Sequence, residues 1–397
     1  MKPQLFFTIL VLCCCQLSFA QTPKVFLLNP ENIKAKKEAY LKGNQEVSSI
    51  LAMVIKKADA LLTAEAKSVM DKGAVPPSGS KHDYMSLAPY FWPDPTKPDG
   101  KPYIRKDGER NPEIRKITDA TNLSNLSTQC KFLALAWYFT GKQEYATKAN
   151  ALLTAWFINA DTKMNPNLNY AQAILGVNDG RGIGIIESRW LAELADWMGL
   201  LEGSKAFTKD QSAAVKDWYK QYLTWMLTSK NGKDEHHAKN NHGTIYDAQV
   251  AAYALFTDQK ELAKKILTGS LERISVQIEP DGKQPLEMER TRAYSYSTFN
   301  LTDGWFNLAL LGQKAGVDVW NYQTTDGRSI RKALDWLIPY ALDEKTKDLK
   351  QIVPYEKTDL YRLLILAGRQ YKAGTYLQKA TTIEANQETA LTDLFYK

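Results

Sequence analysis

Apolar residues recur every three or four positions along most of the chain, which is the spacing of an amphipathic α-helix. In one such stretch Ala263, Leu267 and Ile274 fall on one side, whereas Glu261 and Lys265 fall on the other. Few stretches alternate with a period of two, so the pattern predicts an all-α fold. The predicted helices cover roughly residues 33–70, 120–140, 143–158, 184–201, 208–228, 246–276, 298–315, 329–343 and 357–382.

The predicted helices are of moderate length and are joined by short connections. Paired antiparallel helices in a chain of this size form either a solenoid or a ring of hairpins. The sequence has no repeat of fixed period, which argues against a solenoid. It also has no linker rich in Pro, Gly or Ser, so we expect one domain.

The first twenty residues have the features of a secretory signal peptide. Lys2 precedes a short apolar run, and a small residue, Ala20, stands at the expected cut. We therefore expect cleavage after Ala20, a mature domain of residues 21–397 and a periplasmic or secreted location. A lipoprotein signal is the alternative, because Cys13, Cys14 and Cys15 lie in the apolar run, but the usual small residues do not precede them. No later stretch reaches the roughly 18 apolar residues of a membrane span.

Composition and charge narrow the classes of partner. The 51 Lys and Arg against 44 Asp and Glu give a net charge of +7, which lacks the dense clustering of a nucleic-acid binder. A mildly basic chain suits an acidic ligand. The 10 Trp and 20 Tyr supply rings that stack on sugars, although most aromatic side chains stabilise the core.

Polar and aromatic residues interrupt the helical pattern in four places. Long loops on a helical scaffold commonly carry binding and catalytic groups. The four segments are residues 82–112, 164–184, 231–247 and 280–300.

Three of the four histidines lie close together, at His236, His237 and His242. Their spacing matches no zinc signature, and only one cysteine follows the predicted signal peptide, so we predict neither a metal nor another cofactor. His236 and His237 fit a solvated loop. Asn241 and His242 precede a helical stretch, where they either cap the helix or offer hydrogen-bond donors and a base to a ligand.

The segment 284–296 carries Arg290, Arg292, Tyr294 and Tyr296. Arginine binds carboxylates through two hydrogen bonds, and a tyrosine beside a guanidinium can carry a proton. The alternative is a surface helix with solvated arginines and packed tyrosines.

Five motifs follow one another along the chain: DYMSLAPYFWPDP at 83–95, MNPNLNYAQ at 164–172, GRGIGIIESRW at 180–190, NNHGTIYDAQ at 240–249 and QPLEMERTRAYSYSTFNL at 284–301. Together they resemble the alginate lyase superfamily of polysaccharide lyases, most closely family thirty-eight and more distantly family five. The resemblance implies an (α/α) toroid of six or seven helical hairpins. It also implies β-elimination on a uronic-acid polymer, with alginate as the first expectation.

The same resemblance assigns candidate roles to individual residues. Tyr296 is the expected acid, and also the base when the C5 hydrogen and O4 lie on one face of the sugar. His242 is the expected base for the opposite arrangement, or it neutralises the carboxylate together with Asn241. Arg290 supports the tyrosine, and Arg292 and Tyr294 compete for these roles. The expected substrate-binding residues are Tyr90, Trp92, Asn167, Arg189, Tyr246 and Arg292.

Two other functions fit the same sequence. A glycoside hydrolase on a helical toroid would use two carboxylates, such as Asp247 and Glu287. A binding protein for acidic glycans would keep the toroid without the chemistry.

Overall fold

The computed structural model describes residues 22–397, so the predicted signal peptide lies outside the described residues. The described residues form seventeen α-helices. These are α1 (Pro30–Leu41), α2 (Gln45–Leu61), α3 (Asp119–Thr140), α4 (Gln143–Leu153), α5 (Trp190–Leu201), α6 (Lys209–Thr228), α7 (Lys230–His236), α8 (Asn241–Phe256), α9 (Lys260–Ser270), α10 (Glu272–Gln277), α11 (Pro285–Met288), α12 (Ala293–Phe299), α13 (Phe306–Ala315), α14 (Ile330–Ala341), α15 (Thr358–Gln370), α16 (Gly374–Ala380) and α17 (Gln387–Tyr396).

Helices pack side by side around a ring. Helix α2 contacts α3, α3 contacts α5, and α5 contacts α8. The series continues through the π-helical turn Asn300–Trp305, which runs into α13, to α15 and α17, and α17 contacts α2 again. Helices α4, α6, α9, α14 and α16 pack outside this ring. The prediction of an all-α (α/α) toroid is confirmed.

Two inner helices, α5 and α8, are buried on nearly all sides because most of their residues are apolar. Helix α8 is almost wholly buried, and Ala248, Ala251, Ala252 and Ala254 allow neighbouring helices to approach it closely. One contiguous core extends from Val25 to Tyr396. Cys130, the free cysteine among the described residues, is buried in α3. None of the described helices is both long and apolar enough to span a membrane.

The N-terminal residues Val25–Leu28, which we call the strap, join the two ends of the chain. The buried Asp196 carboxylate of α5 accepts hydrogen bonds from the amides of Phe26, Leu27 and Leu28, at 2.6, 2.9 and 2.7 Å. The hydroxyl of Tyr396, in α17, donates to the Leu27 carbonyl. The strap is therefore held between α5 and the last helix.

Two small sheets break the helical pattern at one end of the ring. Strand β1 (Met85–Leu87) pairs in parallel with β4 (Tyr170–Ala173), and β2 (Phe91–Trp92) pairs antiparallel with β3 (Ile104–Arg105). We call residues 88–111, which contain β2 and β3, the flap hairpin. These sheets lie in two of the four segments in which the helical pattern was interrupted.

The boundaries differ from the predicted ones in several places. The predicted helix at 33–70 is two helices, α1 and α2, and the one at 246–276 is three, α8, α9 and α10. Asp258, in the turn after α8, has φ +63°, a left-handed conformation that ends the helix there. The polar segment 231–247 was expected to be a loop, but it contains α7, which Ser229 caps by accepting from the Gly232 amide.

Candidate active site

A cavity of about 870 Å³ opens where the two small sheets meet the inner helices. Its walls come from all four interrupted segments and from the helix starts beside them. Among the residues that line it are Tyr90, Arg105, Arg110, Arg115, Gln172, Arg181, Glu187, Arg189, Asn240, Asn241, His242, Arg290, Tyr296 and Phe299.

One wall of the cavity is the N-terminus of α8. Asn240 caps this helix by accepting a hydrogen bond from the His242 amide at 3.3 Å, which leaves Asn241 and His242 in the first turn. Gly243 is required here, because a Cβ would collide with the Ala238 carbonyl and the Arg273 guanidinium. A helix N-terminus favours a bound anion.

A buried carboxylate fixes the side chain of Asn241. Glu287 accepts from the Asn241 backbone amide at 2.7 Å and from its Nδ2 at 2.6 Å. Burial raises the pKa of Glu287, and these two hydrogen bonds oppose that rise. The Asn241 amide keeps one further N–H for another acceptor.

A second buried carboxylate orients His242. Its Nδ1 lies 2.7 Å from Glu235 Oε1, and Glu235 is 1% exposed. When Nδ1 carries the proton shared with the carboxylate, Nε2 is left as an acceptor. The imidazole is therefore arranged as a base.

Tyr296 lies within reach of a second tyrosine and an arginine. Its hydroxyl donates to the Tyr90 hydroxyl at 2.9 Å, and the Arg290 guanidinium lies 4.3 Å from its ring centroid. Burial and the hydrogen bond to Tyr90 raise the pKa of Tyr296, whereas Arg290 lowers it. The phenol is consequently protonated at neutral pH.

Positive charge dominates the rest of the cavity lining. Its arginines come from the flap hairpin, the 3₁₀ turn Pro112–Lys116, the 3₁₀ segment Gly182–Arg189 with the residue before it, and the turn after α11. Glu187 also lines the cavity, where it accepts from the Tyr84 and Ser86 hydroxyls at 2.8 and 2.6 Å, and burial raises its pKa. The arginines are Arg105, Arg110, Arg115, Arg181, Arg189 and Arg290.

Gln172 lines the cavity with an unusual backbone conformation, at φ +50°. Its amide donates to Ser86 Oγ at 2.8 Å, and its side-chain oxygen accepts from Arg181 Nη2 at 3.0 Å. Strained conformations of residues other than glycine persist where the surroundings enforce them, often at functional sites.

The structure brings six of the ten predicted site residues to this cavity. They are Tyr90, Arg189, Asn241, His242, Arg290 and Tyr296.

Four predicted substrate-binding residues lie elsewhere. Tyr246 is a correction, because its ring is buried in the core and its hydroxyl donates to the Met226 carbonyl at 2.8 Å. Asn167 donates to Asp83 Oδ1 at 3.1 Å, and Trp92 donates to the Glu109 carbonyl at 3.0 Å. Arg292 donates to the Gly108 carbonyl behind the flap hairpin.

The carboxylates of the hydrolase alternative do not line the cavity. Asp247 is 2% exposed and pairs with Arg273 at 2.6 Å, and Glu287 is committed to Asn241. The described residues also contain no group of three or more His, Cys, Asp or Glu placed to hold a metal ion.

The sequence analysis missed Glu235 and Gln172. It also missed three arginines in or just after the flap hairpin, Arg105, Arg110 and Arg115. Glu235 stands in the run DEHH, which reads as a solvated charge cluster, and only the fold buries it. Residues 105–115 hold four basic and three acidic side chains, so the sequence does not indicate that their arginines face one cavity.

Comparison with known proteins identifies the family of the chain. The family model described as alginate lyase matches residues 68–347. A crystal structure of an alginate lyase from Bacteroides ovatus is 38% identical, with a TM-score of 0.90 over 94% of this chain and 99% of that one. No curated protein matches the chain at a significant level.

A more distant likeness supports the fold alone. Alginate lyase A1-III from Sphingomonas species A1 is 18% identical, with a TM-score of 0.58 over 96% of this chain and 98% of that one. A variant of A1-III complexed with a tetrasaccharide is 17% identical, with a TM-score of 0.59 over the same shares. The narrower placement in family thirty-eight stays a prediction. On the family match and the close structural relative, the chain belongs to the alginate lyase family of polysaccharide lyases.

Proposed function

We propose that this chain is an exported enzyme that cleaves alginate by β-elimination, with residues 21–397 as its single toroid domain. The observation that carries the proposal is the convergence of Asn241, His242, Arg290 and Tyr296, from two separate motifs, on one cavity. Export rests on the sequence of residues 1–20.

The charge of the cavity supports a polyanionic substrate. Six arginines and the start of α8 face it, against the buried carboxyl group of Glu187. Each uronate residue of alginate carries one carboxylate, and guanidinium groups bind carboxylates with paired hydrogen bonds. The close relative from Bacteroides ovatus is itself an alginate lyase.

The reaction needs groups that stabilise the negative charge developing on the substrate carboxylate. A base removes the C5 proton, the C–H electrons form the C4–C5 double bond, and the C4–O4 bond breaks as O4 takes a proton. Charge develops on the C5 carboxylate as an enediolate, which prearranged donors stabilise. The remaining N–H of Asn241 and the first turn of α8 are suited to that role.

Tyr296 is the proposed acid, because its raised pKa keeps it protonated until O4 departs. In mannuronate, where the C5 hydrogen and O4 lie on one face, Tyr296 serves as base as well: its phenolate, formed when the hydroxyl proton leaves to solvent, takes the C5 proton and then passes it to O4. Arg290 then stabilises the phenolate, and the Tyr90 hydroxyl can donate a hydrogen bond to the phenolate oxygen.

His242 is the proposed base where the C5 hydrogen and O4 lie on opposite faces, as in guluronate or glucuronate. The Glu235 carboxylate holds the imidazole with Nδ1 turned away, so that Nε2 can accept the proton. It also stabilises the imidazolium that forms.

The Tyr296→Phe variant tests the proposal. The wild-type protein should release unsaturated uronates that absorb in the near ultraviolet, and the variant should lose at least about 1,000-fold in kcat while still binding the polymer. Near-normal activity of the variant would refute the role of Tyr296. A wild-type protein that binds several uronates without turnover would favour a glycan-binding protein, and chain cleavage without the chromophore would favour a hydrolase.

A further inference from the structure

We infer that Asp107, at the end of the flap hairpin, is a positioning residue for elimination that acts through Arg290. The inference rests on the proposed function, and it adds a residue that lies outside every motif of the family resemblance. Asp107 and Arg290 are 183 positions apart in the chain.

The Asp107 carboxylate is bound by the segment that carries the catalytic groups and, on its own hairpin, by Arg105, whose Nη2 donates to Oδ1 at 2.7 Å. Arg290 Nη2 donates to Oδ1 at 2.9 Å, and Arg290 Nε lies 3.2 Å from both oxygens. The Thr291 amide and hydroxyl donate to Oδ2 at 3.2 and 3.0 Å. Such paired bonds fix the plane of a guanidinium as well as its position.

The neighbouring backbone packs against the same segment. The Thr291 hydroxyl donates to the Asp107 carbonyl at 2.8 Å, and Arg292 donates to the Gly108 carbonyl. Gly108 has φ +75°, and a Cβ there would collide with the Thr291 hydroxyl. The end of the hairpin therefore has one close-fitting position against residues 290–292.

Burial and Tyr90 raise the pKa of Tyr296, and Arg290 is the neighbour that lowers it. The guanidinium lies over the Tyr296 ring, while the Asp107 carboxylate balances its charge from the other side. Although burial raises the pKa of Asp107, the bonds from Arg290 and Thr291 hold it well below its usual range, so it is ionised wherever the enzyme works. Asp107 raises the pKa of Tyr296, whereas Arg290 lowers it.

A purely structural role is a poor account of Asp107, because the hairpin is anchored independently on its other side. The Tyr103 amide donates to the Leu175 carbonyl at 3.0 Å, and Gly176 packs so closely on Pro102 that a Cβ would lie 2.9 Å from its Cα. These contacts remain when the Asp107 carboxylate is removed.

The test compares Asp107→Asn with Asp94→Asn. Asp94 is on the same hairpin but does not line the cavity, and its carboxylate bonds only to Thr96, so its variant should keep wild-type kinetics. For Asp107→Asn we expect a fall in kcat of about 100-fold, the size of effect seen when a reacting group is misplaced by about 1 Å, with KM changed far less. The alkaline limb of the kcat/KM profile should move to lower pH, because Tyr296 loses a charge that raises its pKa while Arg290 remains.

An Arg290→Ala background gives a second readout. Because Asp107 acts through Arg290, adding Asp107→Asn to Arg290→Ala should lower kcat by less than about 3-fold. A full additional 100-fold loss would overturn the inference, as would a folded Asp107→Asn enzyme with unchanged kcat and an unmoved alkaline limb.

If Asp107→Asn does not fold, Thr291→Val decides, because it removes only the hydroxyl bonds to Asp107. A fall in kcat with a shifted alkaline limb supports the inference, and wild-type behaviour overturns it. Failure of the proposed function is recognised separately, since the wild-type enzyme would then make no unsaturated product.

Discussion

Two histidine–carboxylate pairs lie within a few residues of each other, and only one of them faces the cavity. His242 Nδ1 is 2.7 Å from Glu235, and His236 Nδ1 is 3.0 Å from Asp247. The distances are similar, but the neighbours differ. Asp247 also receives Arg273 at 2.6 Å, whereas the second oxygen of Glu235 is buried with no hydrogen-bond partner among the described residues.

The difference shows that the pair alone does not make a base. In the His236 pair the charge of the carboxylate is already balanced by arginine, and the imidazole is 44% exposed on the outer side. In the His242 pair the carboxylate is left to the imidazole, which is 17% exposed and lines the cavity. We therefore interpret the first pair as structural and the second as chemical.

Replacing each histidine by alanine gives the largest expected contrast. His242→Ala should lower kcat/KM on polyguluronate by about 1,000-fold, the size of a general-base contribution, and on polymannuronate by much less. The matched variant His236→Ala should stay within about 2-fold of the wild type on both polymers, because surface changes of this kind have small effects. Absorbance assays on the two polymers measure both.

An equal loss for His242→Ala on both polymers would indicate that His242 neutralises the carboxylate rather than removing the proton. An equally large loss of kcat/KM for His236→Ala would contradict the distinction between a structural and a chemical pair.

Replacing the two carboxylates should give the same contrast between the pairs, with a smaller effect on kcat. Glu235→Gln keeps the shape of the side chain but removes the charge that fixes the Nδ1-protonated tautomer, so we expect kcat on polyguluronate to fall about 100-fold. Binding of the polymer, measured by calorimetry with the Tyr296→Phe variant as background, should change little. An unchanged kcat would show that the cavity orients His242 without Glu235.

Asp247→Asn should affect stability more than rate. It leaves Arg273 without its partner in a site where the Arg273 side chain is 16% exposed, so the free energy of unfolding should fall by about 3 kcal/mol. Denaturant titration measures that loss, while kcat should stay within about 2-fold of the wild type. A large loss of kcat in a folded variant would contradict the structural interpretation of this pair.

Much of the fold could be predicted from the sequence, because the helical period follows burial on one face. Helix α7 was missed, since KNGKDEH has no apolar period and depends on the cap at Ser229. The predicted helix at 298–315 is interrupted by the π-helical turn at Asn300–Trp305, a local change of winding that periodicity does not encode.

The site was predictable only as far as its motifs extend. The family resemblance located Asn241, His242, Arg290 and Tyr296. It did not indicate which other side chains of the same helices point into the cavity and which pack into the core. Tyr246 is one turn after His242, yet it packs inward on the Met226 carbonyl. The pairing of Asp107 with Arg290 joins two distant segments, and no spacing in the sequence indicates it.

The strap has a consequence for the order in which the contacts of the fold can form during synthesis. Its contact with Tyr396 joins residues 369 positions apart, so the strap meets this partner only after Tyr396 has been made. At the usual 5–20 residues per second, that interval is about 20–75 s. The entropic cost of closing a loop grows slowly with its length, so the large sequence separation adds little to the free energy of folding. During that interval the contacts between the strap and α17 cannot form, and the growing chain lacks the closure that completes its ring.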